Sequence, residues 1–292
     1  MTGAYVTSSP SSERWQQTRA ALLTILTSSD YGDGESSTLK TDHRSPENVS
    51  ISKHIVVSAG PVGTGTALRL AEQGEQVVVV TMSGSGPTHQ RVGRTAADAS
   101  SVTVTAMTEL ATGAVAIYNC ATPAYHCSPS DRPPMAQALL TSAERSGAVL
   151  ATVSNLYGYG PVSSPLTEDL PLAAHLPKAL IRVQMWRDAL AAHVASRVRV
   201  TEVRGSDYLR HGTQSHLGDR VVPRPLAGHD VTVTRSADTL HTWTATDVLP
   251  ACWSWWRPMN APGVGPGTCR ATRHGASARL WVTGAVSQES SQ

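Results

Sequence analysis

The chain has 292 residues, 16% of them charged, and a formal net charge of +2. That is long enough for one large domain or two small ones around a sizeable core. No block of five like charges occurs, so neither nucleic acid nor an anionic membrane surface is expected as a partner.

Residues 1–52 are rich in Ser and Thr. "RWQQTRAALLTIL" could form a short helix, and the remainder reads as a flexible N-terminal extension. The longest apolar run near Met1, Ala20 to Leu26, is interrupted by Thr24. It falls short of a signal peptide and of the ~20 apolar residues of a membrane span, so a soluble, cytoplasmic protein is expected. From Lys53 strand and helix signals alternate. "KHIVVSA" is a continuous apolar strand of the kind buried on both faces of a parallel sheet. "TGTALRLAEQG" follows as a helix with Ala67, Leu68 and Ala71 inward and Gly74 at its end. "EQVVVVTM" is the second buried strand. "SSVTVTAMTELATG" fits either a strand, by its Val-Thr alternation, or a helix, by Met107, Leu110 and Ala111. A helix is expected, because a crossover must precede the next parallel strand. "AVAIYNC" (114–120), "AVLATVSN" (148–155) and "RVRVTEV" (197–203) read as further strands, with helices in "PPMAQALLTSAERSG" and "LIRVQMWRDALAAHV" between them. This alternation predicts βαβ units and an open parallel sheet over residues 53–250. Residues 251–292 hold four of the seven Trp and no helix-length amphipathic run. They read as an irregular, aberrant or disordered tail.

Between the first strand and its helix lies Gly60-Pro-Val-Gly63-Thr-Gly65. In that setting glycines let the backbone turn sharply and approach a pyrophosphate, and the helix N-terminus supplies free N–H groups. Against G-x-x-G-x-x-G, Thr66 holds the third glycine position; a ligand-free turn between strand and helix would use glycines too. The second strand ends in Thr81-Met82-Ser83-Gly84, with no carboxylate for ribose hydroxyls and no arginine for a 2′-phosphate. NAD and NADP therefore stay open. "AGPVG" also opens flavin hydroxylases, a further alternative, but their ribose-binding Glu is missing here. The cysteines Cys120, Cys127, Cys252 and Cys269 show no C-x-x-C spacing and read as reduced thiols. His126 beside Cys127 and Cys120 fits no common metal spacing, so no metal is expected.

Six stretches, "VVSAGPVGTGTALRLAEQGEQVVVVT", "AADAS" (96–100), "YNCATPAY" (118–125), "VSNLYGYGP" (153–161), "TEDLP" (167–171) and "EVRGSDY" (202–208), occur in the order found in one superfamily. The chain resembles the short-chain dehydrogenases/reductases, above all the extended NAD-dependent epimerase/dehydratase family and its atypical members. The resemblance implies a Rossmann-type, doubly wound parallel sheet with a reduced or incomplete C-terminal substrate lobe. It implies NAD or NADP as cofactor, a small-molecule carbonyl or sugar-nucleotide substrate, and it allows a homodimer. Carried over by position, Gly60, Val62, Gly63 and Thr64 would lie at the pyrophosphate. Asp98 would hydrogen-bond the adenine amino group, and Ala121 would line the nicotinamide ribose.

The catalytic positions depart from that pattern. The family places Ser or Thr after the fifth strand, then Tyr-x-x-x-Lys, whose tyrosine transfers a proton while the lysine lowers its pKa and holds the ribose. Here Asn155 holds the Ser/Thr position, and Lys178 and Arg182 replace the tyrosine and lysine. An arginine gives up no proton near neutral pH, and Lys178 could serve as acid or base only with a strongly lowered pKa, while both cations could grip ribose, phosphate or a substrate carboxylate. Tyr157 and Tyr159 lie beside Asn155 as substitute acids, although a tyrosine there is commonly packing. The same reading admits a non-catalytic dinucleotide-binding sensor as alternative.

Overall fold

The computed structural model describes residues 4–6, 51–98, 104–123, 128–162, 166–167, 170–209, 227, 231–233, 243–246 and 249–250. The expected helix in "RWQQTRAALLTIL", and the tail from residue 251 on, lie outside them. The described residues divide into two compact units, one within 51–207 and 243–250, the other of 4–6 with those described within 208–233. In the second unit β1 (Ala4–Val6) pairs antiparallel with β8 (Val231–Val233), Tyr5 opposite Thr232.

The first unit carries the site. Its strands are β2 (Lys53–Val57), β3 (Gln76–Thr81), β4 (Val92–Ala96), β5 (Ala114–Asn119), β6 (Val149–Asn155) and β7 (Val200–Gly205). All six run parallel in the order β4-β3-β2-β5-β6-β7. Read by position along the chain, that order leaves the first strand outward in two directions, as in the Rossmann-type doubly wound fold. Val57 pairs with both Val80 and Asn119, so the ends of β2, β3 and β5 lie level. Loops leaving β2 and β5 pass to opposite faces of the sheet there, and a crevice opens at its carboxyl edge.

Helices α1 (Pro61–Glu72), α2 (Val104–Ala111), α3 (Ser128–Ser146) and α4 (Pro177–Val194) connect the strands. Continuous apolar runs such as Val77–Val80 become strands because helices cover the sheet on both sides. On one face Ile55, Val57, Val80, Ile117, Leu150 and Val200 form a buried cluster with Met107 of α2, Leu139 of α3 and Ala192 of α4. α1 contributes nothing to that cluster and packs on β2 and β3. Its inward face is Gly63, Thr66, Ala67, Leu70 and Ala71, the i, i+3, i+4, i+7, i+8 stripe of an amphipathic helix. Leu68, expected inward, is half-buried, because Leu70 completes that stripe. The ambiguous segment 100–113 contains a helix, as its crossover role requires. β4 is a strand that periodicity did not reveal: at the sheet edge Gly93, Arg94 and Ala96 are exposed, so no apolar pattern marks it.

Candidate functional site

The turn from β2 into α1 is held by its own backbone and side chains. Thr64 N–H donates to Gly60 O at 2.8 Å, and Thr64 Oγ1 donates to Ala59 O at 3.0 Å. Pro61 opens the helix with its φ already helical and no N–H to satisfy. Two positions reveal what the turn demands. Ser58 has φ +88°, a conformation glycine adopts at no steric cost. At Gly63 an added Cβ would lie 2.1 Å from Ser58 O, so only glycine lets α1 approach β2. The pattern is thus Ser58-x-Gly60-x-x-Gly63, with the tight turn at Ser58 and the close packing at Gly63. The position that departs from glycine is Ser58 rather than Thr66. Thr66 sits buried on α1 with its hydroxyl 4.0 Å from Cys120 Sγ.

Ser58 accepts the Gly60 N–H on its Oγ at 3.3 Å, a partial compensation for its backbone. A left-handed non-glycine costs about 1–2 kcal/mol, and glycine returns roughly 0.5–1 kcal/mol through its freer unfolded chain. Ser58→Gly should therefore raise the urea midpoint slightly. A lower midpoint would mean that the hydroxyl contact outweighs the strain.

The other cofactor positions follow from the sheet. Val62 is half-buried in the first turn of α1. At the end of β3, Thr81 Oγ1 donates to Ser85 O and Ser83 Oγ to Ser85 Oγ, so hydroxyls occupy the place of a ribose-binding acid. Asp98 is half-buried two residues past β4. Ala121 follows β5, its N–H donating to Asn119 Oδ1 at 3.3 Å, and Cys120 N–H reaches Val57 O at 3.2 Å. The ends of β2 and β5 and the glycine turn thus form one edge. Cys120 is buried there, and its thiol pKa is pushed up to about 12 by that burial, against a smaller lowering by Thr66. It is inert as a nucleophile. His126 and Cys127 lie outside the described residues.

At the proton-transfer positions, Asn155 caps the 3-10 turn Leu156–Tyr159, its Oδ1 accepting Tyr157 N–H at 3.2 Å. Tyr159 is buried, and its phenol oxygen accepts from Arg204 Nη1 at 2.9 Å. Tyr157 is 47% exposed, with the Arg182 guanidinium 5.9 Å from its ring centre. Lys178 and Arg182 both lie on α4 and are half-buried, one turn apart on the same side.

Arg182 opens onto a cavity of about 420 Å³ between the sheet and helices α3 and α4, where it meets Asn119, Ser154, Arg132 and Glu202. Ala121 also lines it and Lys178 does not. Arg132, near the start of α3, is 5% exposed. Burial first, and Arg182 second, lower its pKa to about 10. Glu202 pairs with Arg204 through Arg204 Nε, and the Arg204 guanidinium lies 5.3 Å from the Tyr159 ring and 5.4 Å from the Trp186 ring. Burial raises the Glu202 carboxyl pKa, against the pull of Arg204 and Arg182. Sequence reading missed Arg132, Glu202 and Arg204 as site residues. The available signal was two charges at alternate positions of one strand, hence on one face, in a run otherwise buried.

No protein-family model matches the chain, and no curated protein does. Solved structures do. MoeE5 in complex with UDP-glucose and NAD aligns with TM-score 0.61 at 17% identity, over 74% of each chain. UDP-glucuronic acid 4-epimerase from Bacillus cereus in complex with NAD gives 0.61 at 14% identity, over 74% of this chain and 76% of that one. DesIV, a dTDP-glucose 4,6-dehydratase from Streptomyces venezuelae with NAD and TYD bound, gives 0.58 at 19% identity, over 70% and 71%. The chain therefore has the Rossmann-type fold that these three structures share.

Proposed function

We propose that this chain binds NAD or NADP through the turn at residues 58–64 and acts as an epimerase-like, dehydratase-like or reductase-like oxidoreductase on a carbonyl or sugar-nucleotide alcohol. The observation that carries the reading is the turn itself. It stands at the carboxyl edge where the loops of β2 and β5 diverge, and a Cβ at Gly63 would strike Ser58 O at 2.1 Å. Such an approach of helix to strand aims the free N–H groups of α1 at a phosphate. The cofactor, when bound, supplies hydride transfer. Asp98 and Ala121 would flank its adenine and nicotinamide ends. Lys178 and Arg182 would hold its ribose or phosphate or a carboxylate of the substrate, and Tyr157 or Lys178 would move the proton.

A second reading, a dinucleotide sensor without catalysis, draws support from two observations. Tyr159 is buried with its hydroxyl held by Arg204, and the Asn155 amide oxygen is used as a cap. Fluorescence titration with NADH and NADPH separates the cases. Binding with turnover on carbonyl compounds or UDP-sugars identifies the enzyme, binding alone identifies the sensor, and binding of neither cofactor removes both.

If the two cations on α4 grip the cofactor, Lys178→Ala and Arg182→Ala should each weaken NADH binding by ~1–3 kcal/mol, the order of hydrogen bonds to charged groups. Lost turnover at unchanged affinity in Lys178→Ala would make that lysine the proton donor instead. Wild-type affinity and turnover in both variants would leave the pair as a solvated helix face.

A further inference from the structure

We propose that the cavity under β5, β6 and β7 is the anion-recognition part of the substrate site, and that a carboxylate or phosphate carried by the substrate lies between the guanidinium groups of Arg132 and Arg182. This rests on the reading of the neighbouring turn as the cofactor site.

Interiors pack with few voids larger than a water molecule, and about 420 Å³ is space on the scale of a small-molecule site, roughly 300–1,000 Å³. The walls are polar toward the carboxyl end of the sheet, with Asn119, Thr152 and Ser154, and apolar deeper in, with Leu140, Leu150 and Val200. Those three apolar residues belong to the cluster on the sheet face away from α1. The cavity is thus separate from the N-terminus of α1, where the cofactor's own pyrophosphate would lie.

Charge points to the sign of the occupant. Arg132 and Arg182 both line the cavity, from two different helices, and they repel one another. Two carboxylates line it as well. Glu202 is bound by Arg204 of its own strand and attracted by Arg182, and Asp188 is exposed and accepts Gln184 Nε2 at 2.7 Å. Arg132 is buried, so its charge is poorly screened by solvent. An oxyanion between the two forks relieves their repulsion and accepts hydrogen bonds in the planar geometry that guanidinium offers. Asn119 and Ala121 line the same cavity and stand at the end of β5, where Cys120 Cβ is 3.4 Å from the Cβ position at Gly63. A ligand gripped there lies beside the expected nicotinamide end.

The test is thermal unfolding of the full chain titrated with potassium phosphate, with sodium malonate, and with sodium chloride at matched ionic strength. A ligand that binds only the folded state raises the midpoint in a saturable way. Saturable stabilisation by phosphate or malonate, absent with chloride, is expected, and the tighter of the two names the group on the substrate. Arg132→Met should weaken that oxyanion at least tenfold while NADH affinity stays within twofold of wild type. Arg132→Lys, which keeps the charge without the fork, should fall between the two. The inference is overturned if chloride acts like the oxyanions, if no titration saturates in the wild type, or if Arg132→Met retains full oxyanion affinity. It is also overturned if NADH affinity falls in parallel, since the anion would then be the cofactor's. Oxyanion binding in a wild-type protein that binds neither NADH nor NADPH would support the site while removing the cofactor reading.

Discussion

Gly63→Ala should destabilise the protein by about 3 kcal/mol, the upper end of overpacking costs, and lower its affinity for NADH and NADPH together. The added Cβ would sit 2.1 Å from Ser58 O, 3.0 Å from Ser58 C and 3.4 Å from Cys120 Cβ. Two of those three neighbours are backbone, so no rotamer change makes room. Either α1 moves away from β2 or the turn opens, and each displaces the N–H groups that would meet a phosphate. Gly63→Asp adds a like charge to the same obstruction and should abolish binding. Urea denaturation and fluorescence titration of both variants check this. A folded Gly63→Asp protein with unchanged affinity for both cofactors would mean that the turn serves only the chain's change of direction.

Arg204→Met should cost about 3–5 kcal/mol, the range for removing one partner of a buried ion pair. The Glu202 side chain is 6% exposed and that of Arg204 13%, so water does not replace the lost partner. The same substitution removes the donor to the Tyr159 hydroxyl and the cation over the Tyr159 and Trp186 rings. Against a total stability of about 5–15 kcal/mol, the variant should be marginal at 37 °C. Glu202→Gln should behave differently. Burial raises the Glu202 pKa in the folded state above its unfolded value, so this group's stabilisation is complete below the unfolded value, about pH 4. It is lost as pH rises through the folded value. Glutamine mimics the protonated acid at all pH and keeps an oxygen for the Arg204 Nε–H, so Glu202→Gln, which also takes the charge partner from Arg204, should gain stability relative to the wild type as pH rises. Denaturation midpoints of both proteins from pH 4 to 8 give the comparison. A variant less stable than the wild type at pH 7 would show that the ion pair outweighs burial of the carboxylate.

The alternation of strands and helices was legible in the sequence because a parallel sheet covered on both faces demands continuous apolar runs. Val77–Val80 and Ala148–Ala151 meet that demand, and helix-length stretches separate them. The glycines at 60 and 63 were legible for the same kind of reason, since a strand-to-helix turn without side chains leaves a local signature. Tertiary structure alone decided three things. β4 carries exposed Gly93 and Arg94, and only pairing with β3 makes it a strand. The turn's departure from glycine falls at Ser58, because a backbone angle of +88° is set by where α1 packs and not by residue type. The charged cavity joins Arg132 on α3, Arg182 on α4 and Glu202 on β7. Side chains so far apart in the chain meet only after the sheet is assembled, and no local pattern of charge or hydrophobicity records a neighbour that distant.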